Sequence, residues 1–175
     1  MIVISETDEV TVQLDLETLV NVGNFVDKLI ARANTNLPHL ITNWFDNPDK
    51  MRNKMIMGFV GEKAVAEYLD APHVFDLTLE KGHGQSDVDG VEVRSVEEMS
   101  HCLITHDYDK PAPYVLAVVN LHVATVVLRG WLHLAECNNP KRWRTDVPRA
   151  AYFTPGTVLH PMDTLRTYYT DRKRR

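Results

Sequence analysis

Residues 114–119 read YVLAVV, six positions without polar alternation. A strand wetted on one side alternates polar and apolar side chains, so this run predicts a strand central in a sheet and covered on both faces. Strand signals crowd around it: 74–79, 91–96 and 102–106 upstream, and 123–134 downstream, interrupted by Gly130. Two further strand signals open the chain, at 1–5 and 10–14. Between these and the cluster the spacing turns helical. Leu16, Leu19, Val20, Val26, Leu29 and Ile30 follow Asp15, a candidate N-cap, in a pattern that runs to Ala33. Residues 36–48 are a short helix or turn bounded by Pro38 and Pro48. A second long helix is predicted with Asn47 as cap and Pro48 at its first position, stopping near 70–72. From Ala135 the chain is loop-rich and ends in a predicted helix near 162–169. Helices first, then strands, then a mixed tail is an α+β layout, with helices packed on a mixed sheet.

The 175 residues suffice for one domain with a sizeable core. Within it we distinguish an N-terminal helical region (1–47), a core (48–134) and a C-terminal extension (135–175). No run of about 18 apolar residues is present, which argues against a membrane span, and no basic-then-apolar leader opens the chain. Cys102 and Cys137 stand apart without a CxxC pair, which reads as two reduced thiols of a cytoplasmic protein. Net charge is −5, but it is unevenly spread. Residues 1–140 carry ten Lys/Arg against 21 Asp/Glu, whereas 141–175 carry nine against three. The basic residues gather in KRWR (Lys141, Arg142, Trp143, Arg144) and in the tail residues Arg172, Lys173, Arg174 and Arg175. Such an extension is either a solubilising terminus or the footprint of an anionic partner.

Chemistry concentrates in residues 86–95, SDVDGVEVRS. Asp89-Gly90 is a turn signal, and strand alternation puts Glu92 and Arg94 on one face with Val91 and Val93 on the other. The bend can bring Asp87 round to Glu92. Adjacent carboxylates repel, and an oxygen-seeking divalent cation removes that penalty, while Arg94 would face an anion that such a metal engages. Glu62, in GFVGEKAVAEYLD, is predicted at the centre of an apolar helical stripe, with Met51, Met55, Gly58, Phe59, Val65, Ala66 and Leu69 within about 60° of it. A buried carboxylate there needs a partner.

The Asp87, Glu92, Arg94 spacing, preceded by a helix bearing Gly61-Glu62, resembles the PD-(D/E)XK nuclease superfamily over about residues 55–120. The resemblance implies a restriction-endonuclease-like core and a metal-dependent DNA nuclease. It carries Asp87, Glu92 and Glu62 onto the Mg²⁺ (or Mn²⁺) ligands, joined by the Val93 backbone carbonyl, and Arg94 onto the family's lysine. The C-terminal GW…AYFTP…LHPMDTL resembles parts of small nuclease-like proteins encoded by phages, which implies action in a host cytoplasm. The chain departs from the family pattern in three ways. Arginine stands at the lysine position and cannot release a proton at working pH. Only four residues separate Asp87 from Glu92. No helix is evident between Val96 and Pro113.

Of other candidates, His83 in KGHGQSD could touch a phosphate or be an ordinary loop histidine. His101 and His106 with Asp107 and Asp109 fit no zinc spacing. Cys102 with a histidine is a formal nucleophilic pair without further support. No P-loop or GxGxxG occurs. Trp44, Trp131 and Trp143 read as core or interface anchors, with Trp143, between two arginines, also suited to stacking on a base. The partner expected is DNA or RNA, with no membrane. The alternatives are an inactive nuclease-fold protein that binds nucleic acid or another protein, and an assembly subunit or homodimer whose acidic body pairs with a neighbour's basic tail.

Overall fold

A computed structural model describes residues 1–4, 9–36, 47–72 and 86–174. The strand expected at 74–79, the segment around Trp44, His83 and Arg175 lie outside the described residues. The fold is α+β. Strands β1 (Ile2–Ile4), β2 (Val10–Gln13), β3 (Glu92–Val96), β5 (Pro113–Asn120) and β6 (Thr125–His133) form a mixed sheet in the order β1-β2-β6-β5-β3. Neighbours are antiparallel except β3 and β5, which run parallel with Glu92 opposite Tyr114 and Arg94 opposite Leu116.

The YVLAVV run is central, as its lack of alternation predicts: β5 lies between β6 and β3 and is buried from Pro113 to Val119. Val115, Ala117 and Val119 enter the main core, whereas Tyr114 and Leu116 enter a second cluster with Leu103, Leu132 and Cys137. Gly130 interrupts β6 with φ +139°, and the β5–β6 register shifts there, leaving Arg129 as the extra residue of a bulge. Between β3 and β5 the chain forms β4 (Leu103–Thr105) and turns, with no helix. Strand β4 joins β8 (Ala151–Thr154) and β7 (Trp143–Arg144) in a small antiparallel sheet, order β4-β8-β7.

Helix α1 (Leu16–Asn36) starts at Asp15, whose Oδ1 accepts from Thr18 N at 2.6 Å. Helix α2 (Pro48–Leu69) starts at Asn47, which accepts from Lys50 N, and closes on Asp70 in the left-handed conformation. Helix α2 lies on the sheet and α1 lies on α2. The Phe25 and Phe59 rings meet edge-on at 5.0 Å, and Arg52 grips Asp27 with two bonds of 2.6 and 2.9 Å. Gly61 makes the sheet contact, since a Cβ there would strike the Ser95 hydroxyl. Short helix α3 (Leu134–Cys137) follows β6 directly, with His133 and Glu136 closing a reciprocal cap. The final helix α4 (Met162–Lys173) buries Met162, Leu165 and Tyr169 against the main core.

Glu62 departs from expectation. The buried residues of α2 centre on Met57, Val60, Gly61 and Ala64, and Glu62 is half-buried about 100° round the helix from Gly61. Because α2 is covered by the sheet on one side and by α1 on another, its apolar residues form no single stripe with a meaningful midpoint.

Candidate functional site

The site grows from the tight turn at Asp89-Gly90. Both residues have positive φ, 39° and 91°, and Val88 and Val91 exchange backbone hydrogen bonds of 3.0 and 2.8 Å across them. This is the type I′ geometry that a Gly at the second position favours. The hairpin folds Asp87 back along β3, where its Oδ2 accepts from Val93 N at 2.9 Å. That N–H points away from β5, and because a strand residue turns both its backbone groups to the same side, the Val93 carbonyl faces the same outer edge.

Glu92 opens β3 and is 5% exposed. With Arg94 it lies on the face carrying Tyr114 and Leu116, opposite Val93 and Ser95, which face α2. The sheet therefore stands between Glu92 and the helix that bears Glu62. Among the described residues no three His, Cys, Asp or Glu side chains converge to hold a metal ion. Glu62 is thus not gathered with Asp87 and Glu92, because strand parity sends Glu92 to the far side.

A lysine meets Glu92 instead. Lys110 Nζ stands 2.7 Å from Glu92 Oε1. The Lys110 ammonium balances the charge of a carboxylate that burial takes largely out of water. Burial pushes the Glu92 carboxyl above its ordinary range; Lys110 pulls it down and the neighbouring Asp87 charge raises it, the balance staying upward.

The loop bearing Lys110 is held from both ends. Asp109 Oδ2 accepts from His106 N at 3.0 Å and from Arg94 Nη2 at 3.1 Å, while the Tyr114 hydroxyl donates to Lys110 O at 3.1 Å. Arg94 also lies over the Tyr114 ring at 5.0 Å. Burial and then the Asp109 charge hold the Tyr114 hydroxyl protonated far above its usual range. Arg94 is thereby engaged in placing the loop.

Lys110 lines a cleft of about 610 Å³, together with Ser86, Asp89, His133, Tyr168 and Arg172. Helix α4 forms one wall. Its Tyr169 hydroxyl donates to Asp89 Oδ2 at 2.6 Å, Lys173 approaches the same oxygen at 3.5 Å, and Arg172 lies across Gly90. The Tyr169 bond, helped by Lys173, holds the Asp89 carboxyl below its ordinary range.

The basic residues expected to act together divide into two places. Arg172 and Lys173 reach the cleft hairpin, and Arg174 pairs with Asp171 at 3.9 Å. The KRWR segment does not line the cleft. Trp143 packs on Tyr152 at 4.6 Å, Arg144 pairs with Asp146 and lies over Phe153, and Arg142 leans on Thr154 at 3.4 Å. Lys141 is exposed in a 3-10 turn. His106 packs on Tyr108 at 4.9 Å and His101 is exposed. Cys137 is buried, its thiol pushed up to about 11 by burial, and both cysteines are free. No helix among the described residues is long and apolar enough to cross a membrane.

Lys110, His133 and Tyr168 were not singled out by the sequence reading. Lys110 carried a usable signal: in a parallel pair both strands start at the same end, so the residues before β5 lie beside the start of β3. No family model, curated protein or solved structure matches the chain.

Proposed function

We propose that the chain is a metal-assisted phosphodiesterase acting on nucleic acid, with its centre at Asp87, Glu92 and Lys110. The observation that carries this reading is Lys110 Nζ at 2.7 Å from the buried Glu92 carboxylate, beside Asp87 and facing a cleft walled by Arg172. A structural ion pair would not need a second acid crowding it, and burying one without full compensation is costly. The donor set suits a hard cation of the Mg²⁺ kind, which binds through one or two carboxylates and keeps waters and substrate phosphate oxygens as its other ligands. Asp87 and Glu92 would hold it, with the Val93 carbonyl on the same edge as Asp87; Glu62 has no part. When bound, such an ion polarises a phosphoryl oxygen and acidifies water.

The chain's own residues do the rest. Lys110 supplies the ammonium that Arg94 cannot replace: it can orient a water or pass a proton at Nζ, and it balances Glu92 until a cation takes its place. Arg94, fixed to Asp109 and Tyr114, positions the Lys110 loop. Arg172 meets phosphate at the mouth of the cleft.

The test is Mg²⁺-dependent cleavage of end-labelled DNA. Glu92→Gln and Lys110→Met should each lower the rate by about 10²-fold or more, the scale of losing one charge-stabilising group. Arg94→Lys should keep about a tenth of the rate or better. Cleavage undiminished in Glu92→Gln would overturn the assignment. A second reading follows from the ion pair itself: if Lys110 neutralises Glu92 permanently, the cleft binds nucleic acid without cutting it. Salt-sensitive binding with no cleavage in Mg²⁺ or Mn²⁺ would select that reading.

A further inference from the structure

The cleft pairs its cations with an aromatic ring that the proposed chemistry does not use. Tyr168 is 41% exposed, large for an aromatic on a helix that packs against the core. Its ring does not swing freely. It leans on Trp131 at 5.6 Å and 36°, and Trp131 is 8% exposed, with Nε1 donating to Thr164 Oγ1 at 2.9 Å. Tyr168 and Arg172 are four residues apart on α4, so they stand on one helix face, and both line the cleft with Lys110. A backed, exposed ring beside two cations is what an unpaired nucleotide needs: a surface for its base and charge for its phosphates.

Size narrows the ligand. At about 610 Å³ the cleft falls in the range of roughly 300–1,000 Å³ that encloses one small-molecule-sized ligand. A duplex shows only base edges, through grooves about 6 and 12 Å wide, and keeps its base faces stacked inside. A ring lining such a cleft meets a base face only where the strand is unpaired, since a duplex keeps those faces stacked.

We propose that the cleft takes single-stranded nucleic acid, with one base on Tyr168 and the adjoining phosphate between Arg172 and Lys110. This rests on reading the site as directed at phosphodiesters, and it names the strand state that the site accepts. His133 also lines the cleft, its Nδ1 accepting from Ala135 N at 3.4 Å.

The experiment is fluorescence anisotropy with a labelled single strand of about a dozen nucleotides and the duplex of the same sequence. Each is titrated with wild type, Tyr168→Ala, Tyr168→Phe and Arg172→Ala, in chelator and again in Mg²⁺ with Glu92→Gln as the background. The single strand should bind about tenfold or more tightly than the duplex. Tyr168→Ala should weaken it by about 10- to 100-fold, the usual cost of losing one stacked base, while Tyr168→Phe stays within about twofold. Arg172→Ala should lower the salt slope by about 0.7, one phosphate on a single strand. Equal or tighter duplex binding, or a Tyr168→Ala variant within about twofold of wild type, overturns the proposal. Tyr168-dependent binding without cleavage in any metal would leave it standing and remove the catalytic reading. Glu92-dependent cleavage of duplex with no effect of Tyr168 would do the reverse. No binding of either probe would remove both.

Discussion

At the scale of single residues the question is whether Glu92 serves the fold or something else, and stability can answer it. Its carboxyl is held above its ordinary range in the folded chain, mainly by burial. A carboxyl whose folded pKa is raised keeps its proton better folded than unfolded, so stability falls as pH rises from the unfolded value through the folded one. Above that window a constant penalty remains. Glu92→Gln removes the charge that causes it, and Lys110, with its side chain 35% exposed, can turn to water. We therefore expect Glu92→Gln to melt higher than wild type near pH 7, by ~2–4 °C if relief is worth ~1 kcal/mol. The advantage should shrink toward pH 4, where both proteins are neutral at this position. A melting point lowered by the substitution at pH 7 would make the Lys110 pair structural. Asp87, Glu92 and the turn between them were legible because strand parity and an Asp-Gly turn are local rules. Lys110 was not, because its meeting with Glu92 depends on which strand β3 pairs with. Glu62 was misplaced for the same reason: parity relates Glu92 to Arg94 but does not say which face the helix covers.

At the scale of elements, the decisive contact is α4 on the 88–91 hairpin. Asp89 receives the Tyr169 hydroxyl and the Lys173 ammonium from the last turns of the helix. Its folded pKa is depressed, so this contribution is present above the unfolded value and is lost as pH falls through the folded one. The latch should therefore hold in mild acid. Asn tolerates the left-handed backbone of position 89, so Asp89→Asn removes charge without straining the turn. Hydrogen exchange of the amides at 169–173 should quicken severalfold in this variant, with little change in β5. Unchanged protection would show that Met162, Leu165 and Tyr169 alone hold the helix. The starts of the long helices were readable to the residue, since Asp15 and the Asn47-Pro48 pair are capping signals in their own right. The β7–β8 hairpin was missed because two- and four-residue strands are too short to show a period. The α4 helix was expected, but nothing local says that its basic end turns back on an acidic turn some 80 residues earlier.

At the scale of the whole molecule, the split between an acidic body and a basic extension is partly resolved within the chain, where Arg172 and Lys173 lie on the Asp89-Gly90 turn. The charge asymmetry was visible in the sequence, but its division into a cleft wall and a separate small sheet was not, because that division is made by tertiary packing. The measurement suited to this scale is a melt with and without Mg²⁺ or Mn²⁺. A cation that binds only the folded chain adds RT ln(1 + [M]/Kd), ~1.4 kcal/mol at about ten times Kd, or ~3–6 °C for a chain of this size. Glu92→Gln is the control to use. Asp87→Ala would also orphan the Val93 N–H and so lower the stability by ~1–3 kcal/mol in its own right. Lys110→Met sharpens the test, since the ammonium on Glu92 competes with any cation there. A shift present in wild type, larger in Lys110→Met and absent in Glu92→Gln would place the cation on this carboxylate. A shift that survives Glu92→Gln would put it elsewhere. No shift in any of the three would leave Lys110 as the only cation Glu92 holds, and the cleft as a binding surface rather than a hydrolytic one.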